Sequence, residues 1–174
     1  MFSSMPIVFL LLMKLKQLNT GDAGLGCDQD ILSTDGVGSC VVLCLWDPIR
    51  KIGAMAHMSQ ASTDKGGAMR PFSFGSCPEL AIPFLLKRML ARGSLACDIC
   101  VRIVGGGNMF YEIKEGSLMD IGTHIVHATL ETLNQEGLHL TSSALGGKFG
   151  RSVQFSVDSG LIEITATNGE KVFL

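Results

Sequence analysis

The stretch TDGVGSCVVLCLWDPIRKIGAMAH, Thr34 to His57, decides how this chain reads. DPIRK near its middle carries the Asp-Pro signal of a turn, and apolar runs of strand length flank it, VVLCLW (41–46) and IGAMAH (52–57). An antiparallel hairpin with 47–50 as its loop centres between Pro48 and Ile49. Trp46 then faces Lys51, Val42 faces Met55, and Cys40 faces His57. Directly opposite residues share one face of a sheet, with Cβ atoms about 4.5–5.5 Å apart. This register sets a thiol beside an imidazole, and a slip of one residue would part them. Cys44 shares the nominal face but stands opposite Gly53, and it reads as packing.

The pairing has a chemical use. The thiolate is the reactive form of cysteine, and a neighbouring imidazolium lowers the thiol pKa from its free value of about 8.5. The glycines of GVGS ahead of Cys40 permit close backbone approach. Main-chain N–H groups around Gly38, Ser39 and Cys40 can then face a developing oxyanion. Thr34, six residues before Cys40, can orient the imidazole through its hydroxyl. Spacing alone leaves a second reading open, in which Cys40 is a small core hydrophobe and His57 a polar strand end.

Outward from the hairpin, 174 residues suit one domain with a sizeable core, and 47% hydrophobic residues with 17% charge argue against disorder. A net charge of −2 offers no basic footprint for nucleic acid. Six cysteines at irregular spacing in a chain this long read as free thiols of a reducing, cytoplasmic compartment. The apolar run PIVFLLLM (6–13) is too short to span a bilayer and lacks signal-peptide flanks. Residues 1–12 read as an extension upstream of a natural start at Met13, with 13–174 as a single domain.

KGGAMRPFSFG (65–75) reads as a Gly-rich loop. A helix follows it, with Ser76 and Glu79 as a capping box, Pro83 bending its first turns and Gly93 as its stop. ICVRIV (99–104) is a strand running into Gly105-Gly106-Gly107. A second helix fits 120–135, with Ile121, Ile125 and Ala128 in one apolar row and Gly137 at its end. SVQFSV, LIEITAT and KVFL are strands parted by Asp158-Ser159-Gly160 and Asn168-Gly169 turns. Strands outnumber helices and short connections imply antiparallel pairing, which is an α+β layout. Cys97-x-x-Cys100 with His124-x-x-His127 has zinc-like spacing, yet cysteines leading into an apolar strand straddle its two faces. Core thiols and solvated histidines account for them better. The glycine runs lack the Gly-Lys-Ser/Thr of a phosphate loop and read as tight turns lining a groove.

The motif T-x-G-x-G-S-C (Thr34–Cys40), then DP and KIGAMAH ending at His57, resembles the signature of the CheD family of chemoreceptor glutamine deamidases. LNTGDAG (18–24) looks like that family's opening, LAIPFLLKRMLARG like its first helix, GGGNMF (105–110) like its glycine turn and IGTHI (121–125) like the start of its second helix. GGKFGR (146–151) with VQF and SGLIEI resembles its closing strands. The resemblance implies two packed, mostly antiparallel or mixed sheets flanked by helices, a layered α-β-β-α arrangement like that of toxin glutamine deamidases. It implies hydrolysis of selected glutamine side chains in methyl-accepting chemotaxis receptors to glutamate and ammonia, which makes the chain a protein-glutamine glutaminase. Cys40 would be the nucleophile, His57 the general base and acid, and Thr34 the third member, with Gly38 and Ser39 supporting the oxyanion. No metal or organic cofactor is required.

Phe74, Gly106, Gly107 and Asn108 would border the substrate or partner groove. The partners implied are the receptors and, where present, a CheC-type phosphatase. The protein would work as a monomer at the membrane-bound receptor array without entering the membrane. MSQAS after His57, the unusual FSFGSCPE around Phe74, and Thr123-His124-Ile125 depart from the family pattern, and all border the expected groove. Two other readings remain at this point: a non-catalytic regulator that binds receptors or a CheC-type phosphatase, and a cysteine amidohydrolase acting on another protein.

Overall fold

A computed structural model describes residues 14–63, 73–108 and 120–174. The apolar run 6–13, most of the Gly-rich loop, and Met109 and Phe110 of the glycine turn lie outside the described residues. The described strands fall into two five-stranded sheets. One sheet runs in the order β1 (Leu15–Gln17), β3 (Ile31–Val37), β8 (Arg151–Ser156), β9 (Ile162–Ala166) and β10 (Lys171–Phe173). The other runs β2 (Ala23–Cys27), β5 (Ile52–Met58), β4 (Val41–Asp47), β6 (Cys100–Gly105) and β7 (Leu140–Leu145). Each is antiparallel apart from one parallel pair, β1 with β3 and β6 with β7.

The period-two alternation of β4 and β5 explains the layering. Val41, Leu43, Leu45, Ala54, Ala56 and Met58 point one way, into a core shared with Ile82, Leu85 and Met89 of α1 (Pro78–Leu90) and Ile125 of α2 (Ile121–Gln135). Val42, Cys44 and Met55 point the other way, onto Leu32, Val153, Phe155 and Ile164 of the first sheet. Both faces of these strands are therefore covered, and a continuous apolar run is what such strands require. The fold is α+β, with two packed mixed sheets flanked by helices, and both described helices lie on the outer face of the second sheet. No helix among the described residues is long and apolar enough to cross a membrane.

The hairpin forms, but its register differs by two residues from the expected one. Val42 stands opposite His57, Cys44 opposite Met55 and Trp46 opposite Gly53. Asp47 stays in the strand, paired with Ile52, because its carboxylate caps the turn itself. It accepts the Ile49 N–H at 2.9 Å and the Arg50 N–H at 3.0 Å. Lys51 closes the turn at φ +52. A shift by two preserves the face of every residue, so Cys40 becomes a diagonal rather than a direct neighbour of His57.

Two helix details also differ. Cys77, not Ser76, is the N-cap of α1, with Pro78 at its first position, and no side chain caps it. Glu79 instead accepts the Thr63 N–H at 2.5 Å. In α2 the buried stripe is Gly122, Ile125, Thr129, Thr132 and Leu133, while Ile121 is exposed. Thr129 and Thr132 fit there because each hydroxyl donates back to a carbonyl of the preceding turn, Ile125 O and Ala128 O. Gly93 and Gly137, at φ +92 and +70, do follow the two helices.

Candidate active site

The two sheets meet at one end where three described connections pass between them, one of them residues 146–150 from β7 to β8. Residues 18–22 lead from β1 to β2, and residues 38–40 lead from β3 to β4. Just before the second crossing β3 bulges, with Asp35 and Gly36 standing against Ser152 alone between the Thr34–Val153 and Val37–Arg151 pairs. A bulge increases the local twist and re-aims the strand. Here it leaves Thr34 pointing into the gap between the sheets and carries Gly38–Cys40 across to the second sheet.

His57, fully buried on β5, enters that gap from the other side. Its Nδ1 lies 2.7 Å from Thr34 Oγ1, and the same hydroxyl lies 2.7 Å from the Leu18 carbonyl oxygen. A carbonyl only accepts, so Thr34 gives its proton to Leu18 and receives one from His57 Nδ1–H. The neutral ring is thereby held as the Nδ1–H tautomer, and the lone pair sits on Nε2. That nitrogen is buried and has no hydrogen-bond partner among the described residues, a circumstance that calls for a role.

Cys40 is half-buried in the bend just ahead of β4, two residues before Val42, which stands opposite His57. Diagonal neighbours on one face stand roughly 7–8 Å apart at Cα, less at the side-chain tips. Burial pushes the Cys40 thiol up and pushes His57 down, the latter partly offset by the Asp22 charge. Both directions favour a neutral thiol beside a neutral imidazole. This corrects the expectation of an imidazolium that lowers the resting thiol. Cys44 is of another kind, 1% exposed and pushed up to about 12 by burial, and it is a packing residue.

The glycines expected to line a groove also hold the Cys40 turn. Gly106 N–H donates to Cys40 O at 2.8 Å and Gly107 N–H to Gly38 O at 2.9 Å. A Cβ on Gly105, at φ +115, would stand 2.1 Å from Cys40 O, and one on Gly122 would press on Gly106 at 2.8 Å. Gly105–Gly107 thus clamp the Cys40 turn from the end of β6, and Asn108 N–H continues to Gly147 O at 3.0 Å. Gly106 and Asn108 also line a cleft of about 320 Å³ with Asp120, Thr123 and Lys148. The N–H groups of Ser39 and Cys40 donate to no other described backbone group.

Phe74 is exposed at the loop ahead of α1. Its ring stacks on Phe84 of α1, centroids 4.4 Å apart. Its neighbour Gly75 donates instead to Gly21 O at 3.0 Å, beside His57. The segment MSQAS is tied to the same loop, since Ser59 and Gln60 both donate to Ser76 O. His124 and His127 line a separate cleft on α2 with Glu79 and Glu131. Among the described residues no three metal-ligating side chains cluster.

A family model described as "CheD chemotactic sensory transduction" matches residues 57–166. A probable chemoreceptor glutamine deamidase CheD of Clostridium novyi is 33% identical over 149 residues, 85% of this chain and 90% of that one. The chain belongs to the CheD family. Probable chemoreceptor glutamine deamidases CheD of Clostridium botulinum and Desulfitobacterium hafniense are 32% and 31% identical over 87% and 82% of this chain, and 94% and 88% of those. An alignment covering 85% of 174 residues spans Thr34 to His57 wherever it begins. Among solved structures, the Bacillus licheniformis hypothetical protein YfiH aligns at 12% identity and TM-score 0.42 over 66% of this chain and 46% of that one. A likeness that loose carries no argument.

In this CheD chain, sequence reasoning missed the groups that hold His57 through the main chain. Asp22 O accepts the His57 N–H at 3.0 Å, and Gly21 N–H donates to His57 O at 2.8 Å. Backbone partners leave no residue-type signature. The one available signal was LNTGDAG as a motif.

Proposed function

We propose that this chain hydrolyses the side-chain amide of glutamines in methyl-accepting chemotaxis receptors, through a thioester on Cys40. The observation that supports it most is the Leu18 O–Thr34–His57 relay, which leaves a buried Nε2 without a partner among the described residues, at the end of the sheets where the half-buried Cys40 lies. A purely structural histidine would be expected to have both ring nitrogens satisfied.

Each group has one task. His57 Nε2 takes the Cys40 proton as Sγ bonds to the amide carbon, so the neutral resting pair needs no stored thiolate. The Ser39 and Cys40 N–H groups, with Gly38 supporting the turn, face the oxyanion. Collapse breaks the C–N bond, and the Nε2 proton leaves with ammonia. Water, deprotonated by the same Nε2, then attacks the thioester. The C–S bond breaks, giving glutamate and the free thiol. Thr34 keeps the ring in the required tautomer throughout.

The names of the relatives support the receptor as substrate. Family membership likewise supports a CheC-type phosphatase as a partner and action by a monomer at the receptor array, in the cytoplasm. Incubation with a cytoplasmic receptor fragment, followed by peptide mass spectrometry, tests the reading. Glutamine-to-glutamate conversion by wild type and none by Cys40→Ala is expected; equal conversion by both overturns it.

A further inference from the structure

The first crossing between the sheets touches both residues of the relay. Leu18 O takes the Thr34 proton, Gly21 N–H and Asp22 O bracket the His57 main chain, and all lie within five residues. The crossing is itself braced. The Asp22 carboxylate accepts the Asn19 N–H at 2.8 Å and the Asn19 side-chain amide at 3.2 Å, and Asp22 N–H returns to Asn19 O at 2.9 Å. Gly75 seats against it so closely that a Cβ there would stand 2.1 Å from Asp22 O.

Thr34 of β3 bonds the imidazole, Val42 of β4 stands opposite His57, Cys40 lies in the bend just ahead of β4, and the Asp22 charge acts on the ring from the crossing whose carbonyl holds the His57 N–H. Asp22 alone among them carries a charge. A negative charge fixed near His57 favours the imidazolium, which exists only once the Cys40 proton has moved to Nε2.

We propose that Asp22 is a positioning residue for this reaction: its carbonyl holds the His57 main chain, its carboxylate shapes the crossing that receives the Thr34 proton, and its charge stabilises the imidazolium formed during attack. The proposal rests on the reading of His57 as the base for Cys40. It separates Asp22 from a merely structural turn residue, because charge and shape act differently on the rate.

Two variants divide the roles. Asp22→Asn keeps an oxygen acceptor for the Asn19 N–H and removes the charge; Asp22→Ala removes both. The His57 imidazole is followed by NMR on isotope-labelled histidine, and kcat and KM are measured against pH on a receptor fragment. In Asp22→Asn, His57 should titrate at lower pH than in wild type. The acid limb of kcat/KM should move the same way while plateau kcat falls, with KM held. Asp22→Ala should lose more plateau kcat, up to about a hundredfold, as a displaced base does. Loosened structure alone would lower the plateau without moving the limb. An Asp22→Asn protein that titrates and turns over like wild type overturns the proposal, even if Asp22→Ala fails to fold. The NMR titration needs no substrate. A shifted His57 in a protein that deamidates nothing would therefore sink the glutaminase reading and still support the hold of Asp22 on His57.

Discussion

Gly105→Ala puts the Cys40 turn under a defined load. The added methyl would stand 2.1 Å from Cys40 O and 2.9 Å from Val37 Cγ1, the first about 1.3 Å inside the 3.4 Å where ordinary contact begins. Neither neighbour can yield cheaply, since Cys40 O is main chain held by Gly106 N–H and Val37 is fully buried. A non-glycine residue at φ +115 adds strain of about 1–3 kcal/mol, and overpacking adds a similar amount. Stability should fall by about 2–5 kcal/mol in denaturant titration. In protein that remains folded, Cys40 is displaced by about 1 Å, which costs kcat about a hundredfold with KM little changed. Gly137→Ala is the control. It also sits at positive φ, but open space surrounds its Cβ position, so it should lose about 1 kcal/mol and no activity. A folded Gly105→Ala enzyme with wild-type kcat would refute the clamp.

Thr34→Val keeps the shape but strands the Leu18 carbonyl and His57 Nδ1; stability should drop by about 1–3 kcal/mol and kcat by about a hundredfold, with Thr34→Ser restoring most of both. Because burial lowers His57 from 6.5, the unfolded chain binds that proton first, so this contribution to stability is present above pH 6.5 and is lost as pH falls through the lowered value. Thermal melts of wild type and His57→Gln between pH 5 and 8 should therefore converge toward the acid end, and parallel curves would contradict the buried neutral ring. With iodoacetamide at pH 7, exposed Cys97 should label no more slowly than Cys40, and Cys44 should label only on unfolding. A Cys40 tens of times faster than Cys97 would mean a preformed thiolate.

The hairpin and its face were legible in the sequence because strand period and turn signal are local. Its register was not, because Asp47 can end a strand or cap the following turn, and only the tertiary fold shows it doing both. The GVGS segment read as a turn, and β3 was missed, because a bulged strand of small and polar residues has no clean alternation. β2, AGLGC, escaped for lack of branched residues. β7, LTSSAL, escaped because its edge position leaves it largely exposed. Thr34 and His57 were found from residue type and motif. Leu18 and Gly21 act through main-chain atoms, Asp22 through its carbonyl as well as its carboxylate, and Gly105 through the absence of a side chain, so residue type alone did not announce them.

The proposed chemistry requires a covalent bond to Cys40. Wild-type enzyme mixed in excess with a receptor fragment, quenched in acid during the first turnover and digested, should yield the Cys40 peptide carrying substrate minus ammonia. Cys40→Ala should yield neither adduct nor glutamate. Conversion without any adduct on Cys40, undiminished in Cys40→Ala, would contradict the mechanism at its centre.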